Sequence, residues 1–306
     1  MPTAKLVFTL LQEARQAVTR LGLGTVQFGL DYGVANATGK APVDEVARIL
    51  ARARAGGIDL LDTAASYGDS ETVLGVQGVS GWQVVTKLGE LPDDCADVDG
   101  WIDAEVNLSL ERLALERVHG LLLHRPHQLV TERGQEVWQS LRRQQDIGRV
   151  GRIGYSIYEP SELDALYPAF PAEIVQAPFN VLDRRLAQSG WLKRLADDGA
   201  AVHVRSAFLQ GLLLMEPADR PHWTRMHADA LDAFDAWAKD VAGSRHVAAL
   251  AYCLAQPDIS HVIIGVQNVD QLDAALAATG LHIPPPPVWP GMGQSDLVDP
   301  RRWPKS

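Results

Sequence analysis

The sequence predicts a single-domain (β/α)8 TIM barrel followed by a C-terminal tail, and three observations predict it. Apolar runs that suit buried strands alternate with helical segments eight times along the chain. The length of 306 residues suits one barrel of this kind. An open doubly wound sheet usually has fewer strands, and no linker-like composition interrupts residues 20–280.

The first half of the predicted barrel starts with an apolar strand over residues 21–29 that runs into a glycine-containing turn. A helix follows from Pro42 to Ala55, because proline suits the first helical turn and Gly56-Gly57 ends the pattern. The elements that come next are a strand over 58–62, a helix from about 70, a strand over 82–87, a helix over about 99–113 and a strand over 118–124.

The second half continues the same alternation. Its helices are predicted over about 132–145, 161–166, 186–198 and 269–278. Its strands are predicted over 152–156, 173–177, 201–205 and 261–264. A long irregular insertion with helical segments reaches to about residue 256, ahead of the last strand.

Three segments are expected: an N-terminal extension over residues 1–20, the barrel over 21–280 and a proline-rich tail over 281–306. The extension suits either a strand over 6–8 or a helix over 10–19, and both interpretations stay open. The tail starts with four consecutive prolines, which favour an extended polyproline-like chain. It is either a strap or disordered end, or a segment that crosses the barrel mouth and shapes the substrate pocket.

Charge and cysteine content narrow the function classes. A formal net charge of −10 argues against nucleic acid or an anionic membrane as the main partner. Cys95 and Cys253 show no metal-binding or disulfide spacing, so both are expected to be reduced thiols. The apolar patch over 6–11 is too short for a signal or membrane segment, which predicts a cytoplasmic protein. No partner helix is evident, so a monomer is expected.

Polar side chains stand where three successive predicted strands end. Asp62 and Tyr67 follow one strand, Lys87 closes the next, and His124 ends the third. The carboxyl ends of parallel barrel strands meet at one mouth, so these side chains should converge. A lysine leaving a buried strand needs an anionic partner, and Asp62 is available.

At these residues the chain resembles the aldo-keto reductase superfamily. No single motif is specific, but the polar residues arrive in the family's order, and the resemblance covers roughly residues 20–280. The motifs that carry it are GLGTVQFG, DTAASYG with Ser70-Glu71 and Leu74-Gly75, TKLG, SLERL, LLLHRP, GRIGYS, VQAPFNVLDRR, VRSAFLQG and VIIGVQNVDQL.

The resemblance implies reversible hydride transfer between NAD or NADP and a small aldehyde, ketone or sugar-like carbonyl. Tyr67 would be the general acid, and Lys87 would lower its pKa from about 10. A shift of about 3 units corresponds to about 4 kcal/mol. Asp62 would keep Lys87 charged, and His124 would donate a hydrogen bond to the carbonyl oxygen or steer the substrate.

The resemblance also assigns cofactor contacts, since no GxGxxG fingerprint of a Rossmann module is present. Gly24 and Thr25 are assigned to the nicotinamide ribose and pyrophosphate region. The carboxamide falls to Ser156 and Gln176, although Ile157 stands where many relatives carry asparagine. The residues assigned to the pyrophosphate are Ser206, Phe208 and Leu209.

The adenosine end departs from relatives that prefer NADP. Those relatives carry Lys or Arg after the eighth strand for the 2′-phosphate, whereas residues 265–271 contain neither. A helix N-terminus there could still offer backbone donors. The sequence therefore predicts a weakened preference for NADP. The candidate contacts are Gly265, Gln267, Asn268 and Gln271.

Arg205 ends the seventh strand, where many family members present an aromatic ring that stacks on the nicotinamide. Its guanidinium could stack, bind an anionic substrate, or pair with a carboxylate at the mouth. The insertion over 216–229, with His222, Trp223 and Arg225, is expected to set substrate choice, because long loops at the mouth often do.

Two other functions compete with catalysis of this kind. A cofactor-binding barrel could serve as a redox-sensing or regulatory subunit with little turnover. A metal-dependent hydrolase could use Asp62, His119, His124 and His127, but ligands normally converge from several strands, which this spacing does not provide.

Overall fold

A computed structural model describes residues 20–36 and 38–304. The strand or helix considered for residues 6–19 lies outside the described residues.

Eight parallel strands close into a barrel in chain order, with the first strand paired to the last. The predicted (β/α)8 barrel is therefore confirmed. The strands are β1 (Leu21–Gly24), β2 (Leu60–Asp62), β3 (Gln83–Leu88), β4 (Val118–Leu123), β5 (Val150–Ser156), β6 (Ile174–Pro178), β7 (Ala201–Arg205) and β8 (His261–Gly265).

Helices surround the barrel and fill the loops between its strands. The α-helices are α1 (Val26–Gly29), α2 (Val43–Ala55), α3 (Ser70–Gln77), α4 (Val98–Leu113), α5 (Gly134–Asp146), α6 (Glu162–Leu166), α7 (Arg185–Gln188), α8 (Trp191–Asp197), α9 (Ala228–Ala242), α10 (Arg245–Leu254), α11 (Val269–Ala277) and α12 (Ser295–Val298). The 3-10 segments are Pro126–Val130, Leu209–Leu214, Pro217–Asp219, His222–His227 and Pro300–Arg302.

The barrel strands alternate between two apolar cores, because successive side chains of a strand point to opposite faces. One set packs outward against the helices and forms the main core. The other set forms a separate cluster inside the barrel, made of Leu60, Val85, Leu122, Ile174 and Ile263. The polar residues two positions further along these strands lie above this cluster, on the same inner face.

Two glycines let the inner cluster fill the barrel. A Cβ atom at Gly22 would lie 2.5 Å from Cδ1 of Ile263. A Cβ atom at Gly120 would lie 2.7 Å from Cδ1 of Ile174. The space that these glycines leave is taken by the isoleucines, so the barrel below the mouth is a packed core.

The prediction of one strand over residues 21–29 is wrong beyond Gly24. Val26–Gly29 forms the short helix α1, with Phe28 buried. A Cβ atom at Gly29 would lie 1.8 Å from the carbonyl oxygen of Tyr67, so only glycine permits this approach. The predicted helix over 186–198 is likewise two helices, since the chain turns at Gly190, whose φ is 81°.

The tail packs against the loops that follow β5, β6 and β7. Arg184 donates to the carbonyl oxygens of Pro286 and Pro287 at 3.2 and 3.1 Å. The Trp303 ring lies 4.9 Å from the ring of Trp223, centroid to centroid. The described part of the tail thus resembles a strap. Among the residues that the structure describes, no helix has the length and apolarity to span a membrane.

Candidate active site

A buried ion pair forms the base of the site at the barrel mouth. Lys87 Nζ lies 2.7 Å from Asp62 Oδ2, donates to the Thr63 carbonyl oxygen at 2.9 Å, and reaches the Tyr67 hydroxyl at 3.4 Å. Gln176 Nε2 donates to the other oxygen of Asp62 at 2.7 Å. Both charged groups are therefore held from two sides, as a buried pair requires.

The loop after β2 is shaped to present Tyr67. The Ala65 N–H donates to the Lys87 carbonyl oxygen at 3.1 Å, which anchors the loop to β3. Gly68 has a φ of 58°, and a Cβ atom there would lie 2.5 Å from the Gly29 carbonyl oxygen. The glycine therefore permits both the turn and the contact with α1.

His124 follows β4 and completes the group. Its backbone N–H donates to the Leu88 carbonyl oxygen at 3.0 Å. Its ring meets the Tyr67 ring edge to face, with centroids 5.7 Å apart. Its Nδ1 lies 3.0 Å from the Ser66 hydroxyl. Asp62, Tyr67, Lys87 and His124, predicted from three strand ends, thus meet at one place.

Burial sets the protonation of His124. Burial, followed by the positive charges of Lys87, Arg205 and Arg125, lowers the pKa of His124 to about 3. The ring is therefore neutral near neutral pH and can donate only from the nitrogen that carries its single proton.

The expected effect of Lys87 on Tyr67 is not found in the protein alone. Burial and the nearby Asp62 raise the pKa of Tyr67 above its ordinary value, and Arg205 opposes them. Burial also lowers the pKa of Lys87, against the opposing effect of Asp62. The prediction considered only the charge of Lys87, whereas burial of the phenol has the largest influence on its pKa and Asp62 adds to that influence.

A cavity of about 780 Å³ opens above these residues. It contains most of the predicted site: Gly24, Thr25, Asp62, Tyr67, His124, Arg205, Ser206, Phe208, Gly265, Gln267 and Gln271. The predicted residues outside its lining are Lys87, Ser156, Gln176, Leu209 and Asn268.

Each residue outside the lining has a structural position that explains it. Ser156 and Gln176 are buried and hydrogen-bonded to each other at 3.4 Å. Leu209 is buried in a left-handed conformation, with a φ of 50°. Asn268 caps α11 by accepting from the Gln271 N–H at 2.9 Å. Contact of these side chains with a cofactor stays a prediction.

Several lining residues were not predicted from the sequence, among them Gln27, Tyr32, Tyr158, Gln210 and His246. Gln27 lies inside the GLGTVQFG motif, which was its only signal. Its Oε1 is buried without a hydrogen-bond partner among the described residues. A Cβ atom at Gly265 would lie 2.5 Å from this amide, so the glycine leaves room for it.

The segment that borders the cavity is not the one predicted. Within the described chain, no residue of the insertion over 216–229 lines the cavity, whereas Gln210, Gly211 and Leu214 do. Trp223 packs against the tail instead. The tail's described residues, up to Pro304, do not line the cavity either. The length of the insertion over 216–229 led to the wrong expectation, because its residues pack away from the cavity.

The histidines of the metal-hydrolase alternative are not brought together. His127 is 64% exposed and lies 3.1 Å from Glu90. His119 lies near Arg152 and Asp59, whose charges act on its pKa. Over residues 20–36 and 38–304, no three His, Cys, Asp or Glu side chains form a group that could hold a metal ion.

A family model described as the aldo/keto reductase family matches residues 20–285. The chain belongs to the aldo/keto reductase family. This aldo/keto reductase is 29% identical over 290 residues to an uncharacterized oxidoreductase of Mycobacterium tuberculosis, with 87% of this chain and 86% of the relative covered. It is therefore an oxidoreductase of a family that generally uses NAD(P)H and acts on small carbonyl compounds.

Solved structures share the fold of this aldo/keto reductase. A protein of Pseudomonas aeruginosa assigned to the aldo-keto reductases is 25% identical, with a TM-score of 0.61 over 86% of this chain and 90% of that one. The holo form of an aldo-keto reductase from Bacillus halodurans has a TM-score of 0.68 at 21% identity, covering 85% and 86%. A glycerol dehydrogenase of Gluconobacter oxydans has a TM-score of 0.67 at 23% identity, covering 87% and 88%.

Proposed function

We propose that this chain reduces aldehyde or ketone carbonyls to alcohols, or catalyses the reverse, with NAD(P) as cofactor and Tyr67 as general acid and base. The observation that carries the proposal is the Tyr67 hydroxyl, which lies 3.4 Å from Lys87 Nζ beneath the cavity that His124 also lines. A phenol, a neutral imidazole and a buried ion pair around one cavity suit proton transfer to a carbonyl oxygen.

The proton resides on Tyr67 before reaction. The raised pKa keeps the phenol protonated, so the acid form is fully populated near neutral pH. When bound, the nicotinamide supplies the hydride. As negative charge develops on the phenol oxygen, Lys87 Nζ is placed to stabilise it, and Asp62 keeps that ammonium in position.

His124 orients the substrate oxygen. In the tautomer with its proton on Nε2, the imidazole accepts from the Ser66 hydroxyl through Nδ1. Nε2–H is then free to donate to the carbonyl oxygen. Because the ring is neutral, it polarises the carbonyl without competing with Tyr67 as the acid.

The residues of the cavity fit a nicotinamide dinucleotide. The unpartnered Oε1 of Gln27 needs a donor, and the cofactor offers amide, amine and ribose donors. Ser206 and Gln210 hold left-handed backbone, with φ of 63° and 55°, along the same wall. With Gly24, Thr25 and Gly265, they are the residues that would hold the cofactor.

We further propose that NAD is preferred over NADP. The Glu45 carboxylate accepts from the Val269 N–H at 2.8 Å, at the N-terminus of α11. An anionic side chain therefore occupies the backbone donor that a 2′-phosphate would need in the absence of Lys or Arg over 265–271. Arg48 pairs with Glu45, but its side chain is 66% exposed and compensates in part only.

Cofactor titrations test this preference. The dissociation constant for NADH should be smaller than that for NADPH, and Glu45→Gln should narrow the difference by weakening the repulsion. Asp44→Asn is a control for the loss of a neighbouring carboxylate, because the Asp44 side chain is 81% exposed and pairs with Arg48 at 3.7 Å. A wild-type preference for NADPH of about a hundredfold, near 2.7 kcal/mol, would overturn the proposal.

The catalytic proposal is tested by following nicotinamide absorbance with a panel of aldehydes and ketones. Turnover at rates typical of enzymes, about 1 per second or more, is expected for at least one compound class. Tight cofactor binding with no turnover on any compound would instead favour the regulatory barrel. Absence of nicotinamide binding would contradict both functions.

A further inference from the structure

Arg205 is a cation without a counterion on the wall of the catalytic cavity, among the residues that the structure describes. Resting on the proposed function, we infer that the substrate carries a carboxylate, which Arg205 binds while the carbonyl lies at Tyr67 and His124. The substrate class is thus an oxo acid or the matching hydroxy acid.

The guanidinium of Arg205 has N–H groups that are not used in hydrogen bonds within the described chain. Arg205 is the last residue of β7 and is half-buried at the cavity. It donates to the Ile157 carbonyl oxygen at 3.1 Å and to the Ser206 hydroxyl at 3.4 Å. These bonds use only part of its fork of N–H groups, and the rest remains for a ligand.

Aromatic stacking fixes the guanidinium in place. Arg205 Cζ lies 4.3 Å from the centroid of the Tyr158 ring. Arg301 of the tail also lies over that ring, at 3.8 Å. Tyr158 is therefore held by two cations, and Arg205 is preorganised for a planar anion.

The carboxylates that line the cavity are paired with residues other than Arg205. Asp62 is held by Lys87 and Gln176. Glu90 pairs with Arg125 at 3.4 Å and with His127. Among the described residues, Arg205 has no carboxylate within ion-pair distance. The ion pair considered from the sequence is therefore absent in this part of the chain.

An unpaired, half-buried guanidinium favours a ligand that supplies the missing charge. A carboxylate matches its fork with two parallel hydrogen bonds. Arg205 lines the same cavity as Tyr67 and His124. One small molecule can therefore place its anion at Arg205 and its carbonyl at the acid.

An oxyanion of the cofactor would satisfy the same guanidinium, so the test must separate the two sources. Two aldehyde acids, 4-oxobutanoate and 5-oxopentanoate, are compared with their primary amides, and kcat/KM is measured for each compound. Wild type should prefer the acids by about tenfold to a hundredfold, as expected for hydrogen bonds to a charged group. Arg205→Gln should bring each acid-to-amide ratio close to one, and Arg205→Lys should give an intermediate ratio.

The acid-to-amide ratio is the readout because any general loss of activity in a variant cancels from it. Arg125→Gln is the matched control: Arg125 lines the same cavity but pairs with Glu90, so its loss should leave the ratios largely unchanged. The dissociation constant for NADH, from fluorescence titration, should change little in Arg205→Gln.

Three results would overturn the inference. Amides that react as well as the acids in wild type would remove the carboxylate requirement while leaving the proposed function intact. An Arg205→Gln variant with weakened NADH binding and unchanged ratios would assign the cation to the cofactor. No turnover of any acid or amide by an enzyme that reduces other compounds of the panel would overturn the inference alone, and no turnover of any compound would overturn the proposed function as well.

Discussion

Both ends of the barrel hold histidines, of which His203 is buried and His124 and His261 are half-buried, and their surroundings differ. At the mouth, His124 lines a cavity of about 780 Å³ beside Tyr67 and contacts Ser66 at 3.0 Å. Towards the amino ends of the strands, the His203 and His261 rings pack with centroids 4.9 Å apart. Neither ring of the latter pair lines the cavity at the mouth.

The histidines of both ends have pKa values shifted in the same direction. Burial lowers the pKa of His124 to about 3 and that of His261 to about 4. Burial also lowers the pKa of His203. A shifted pKa alone therefore does not distinguish a site from a packed interior.

The two ends differ because only at the mouth do polar side chains from several strands meet at a cavity. At the mouth, residues from β2, β3 and β4 direct a carboxylate, an ammonium, a phenol and an imidazole toward one cavity. At the other end, the Nδ1 atoms of His203 and His261 are buried without partners among the described residues. The first arrangement can act on a ligand, and the second can affect only stability.

Loss of Lys87 should have the largest effect on stability. Lys87→Met leaves Asp62 buried and unpaired, which should cost about 3–5 kcal/mol of unfolding free energy and abolish turnover. Urea unfolding measures the first effect and nicotinamide absorbance the second.

Lys193→Met provides the control, because the Lys193–Asp197 pair is exposed and its loss should cost about 0–1 kcal/mol. A similar loss of unfolding free energy for both substitutions would mean that the Lys87–Asp62 pair matters no more for stability than an exposed pair.

The histidines towards the amino ends of the strands should make the protein less stable in acid. Folded His261 has a pKa of about 4, below the ordinary 6.5, so the unfolded chain binds its proton first as the pH falls. The free energy of unfolding therefore falls between about pH 6.5 and 4. The His261→Gln variant should show a smaller fall over this range than wild type. The urea midpoint measured across this pH range tests the prediction.

His127→Gln serves as a control for the replacement of an exposed histidine, since the His127 side chain is 64% exposed. An identical slope in wild type and His261→Gln would show that this ring does not sense pH.

The smallest effect on activity is expected where the tail supports the mouth. Arg301→Gln removes a cation that stacks on Tyr158 and pairs with the buried Asp299 at 2.7 Å, and it should cost about 1–3 kcal/mol of unfolding free energy. Because Arg205 keeps its own stacking and hydrogen bonds, the preference for oxo acids should be retained. Thermal melting and the acid-to-amide ratios provide the readouts.

The sequence could predict the barrel and the convergence at its mouth, because a strand's period of two places Leu60 with Asp62, and Val85 with Lys87, on one inner face. These positions follow from alternation and strand direction alone. The order of strand ends along the chain then predicts that the polar residues meet.

Features that depend on the partners of a side chain could not be predicted. The raised pKa of Tyr67 depends on the burial of its hydroxyl and on its nearness to Asp62. The availability of Arg205 depends on where Glu90 finds its partners. The helical turn after Gly24 depends on the close approach of Gly29 to the loop of Tyr67, whereas the apolar residues of that turn are typical of a strand.

The most direct test compares the same substitution at the half-buried Tyr67 and the buried Tyr155. Tyr67→Phe removes the proposed acid, whereas Tyr155→Phe removes a hydroxyl that donates to the Phe170 carbonyl oxygen at 3.3 Å in the outer core. Tyr67→Phe should lower kcat/KM by about 10²–10⁴-fold with little change in melting temperature. Tyr155→Phe should lose about 1 kcal/mol of stability and keep its activity. Turnover that survives Tyr67→Phe undiminished would contradict the account.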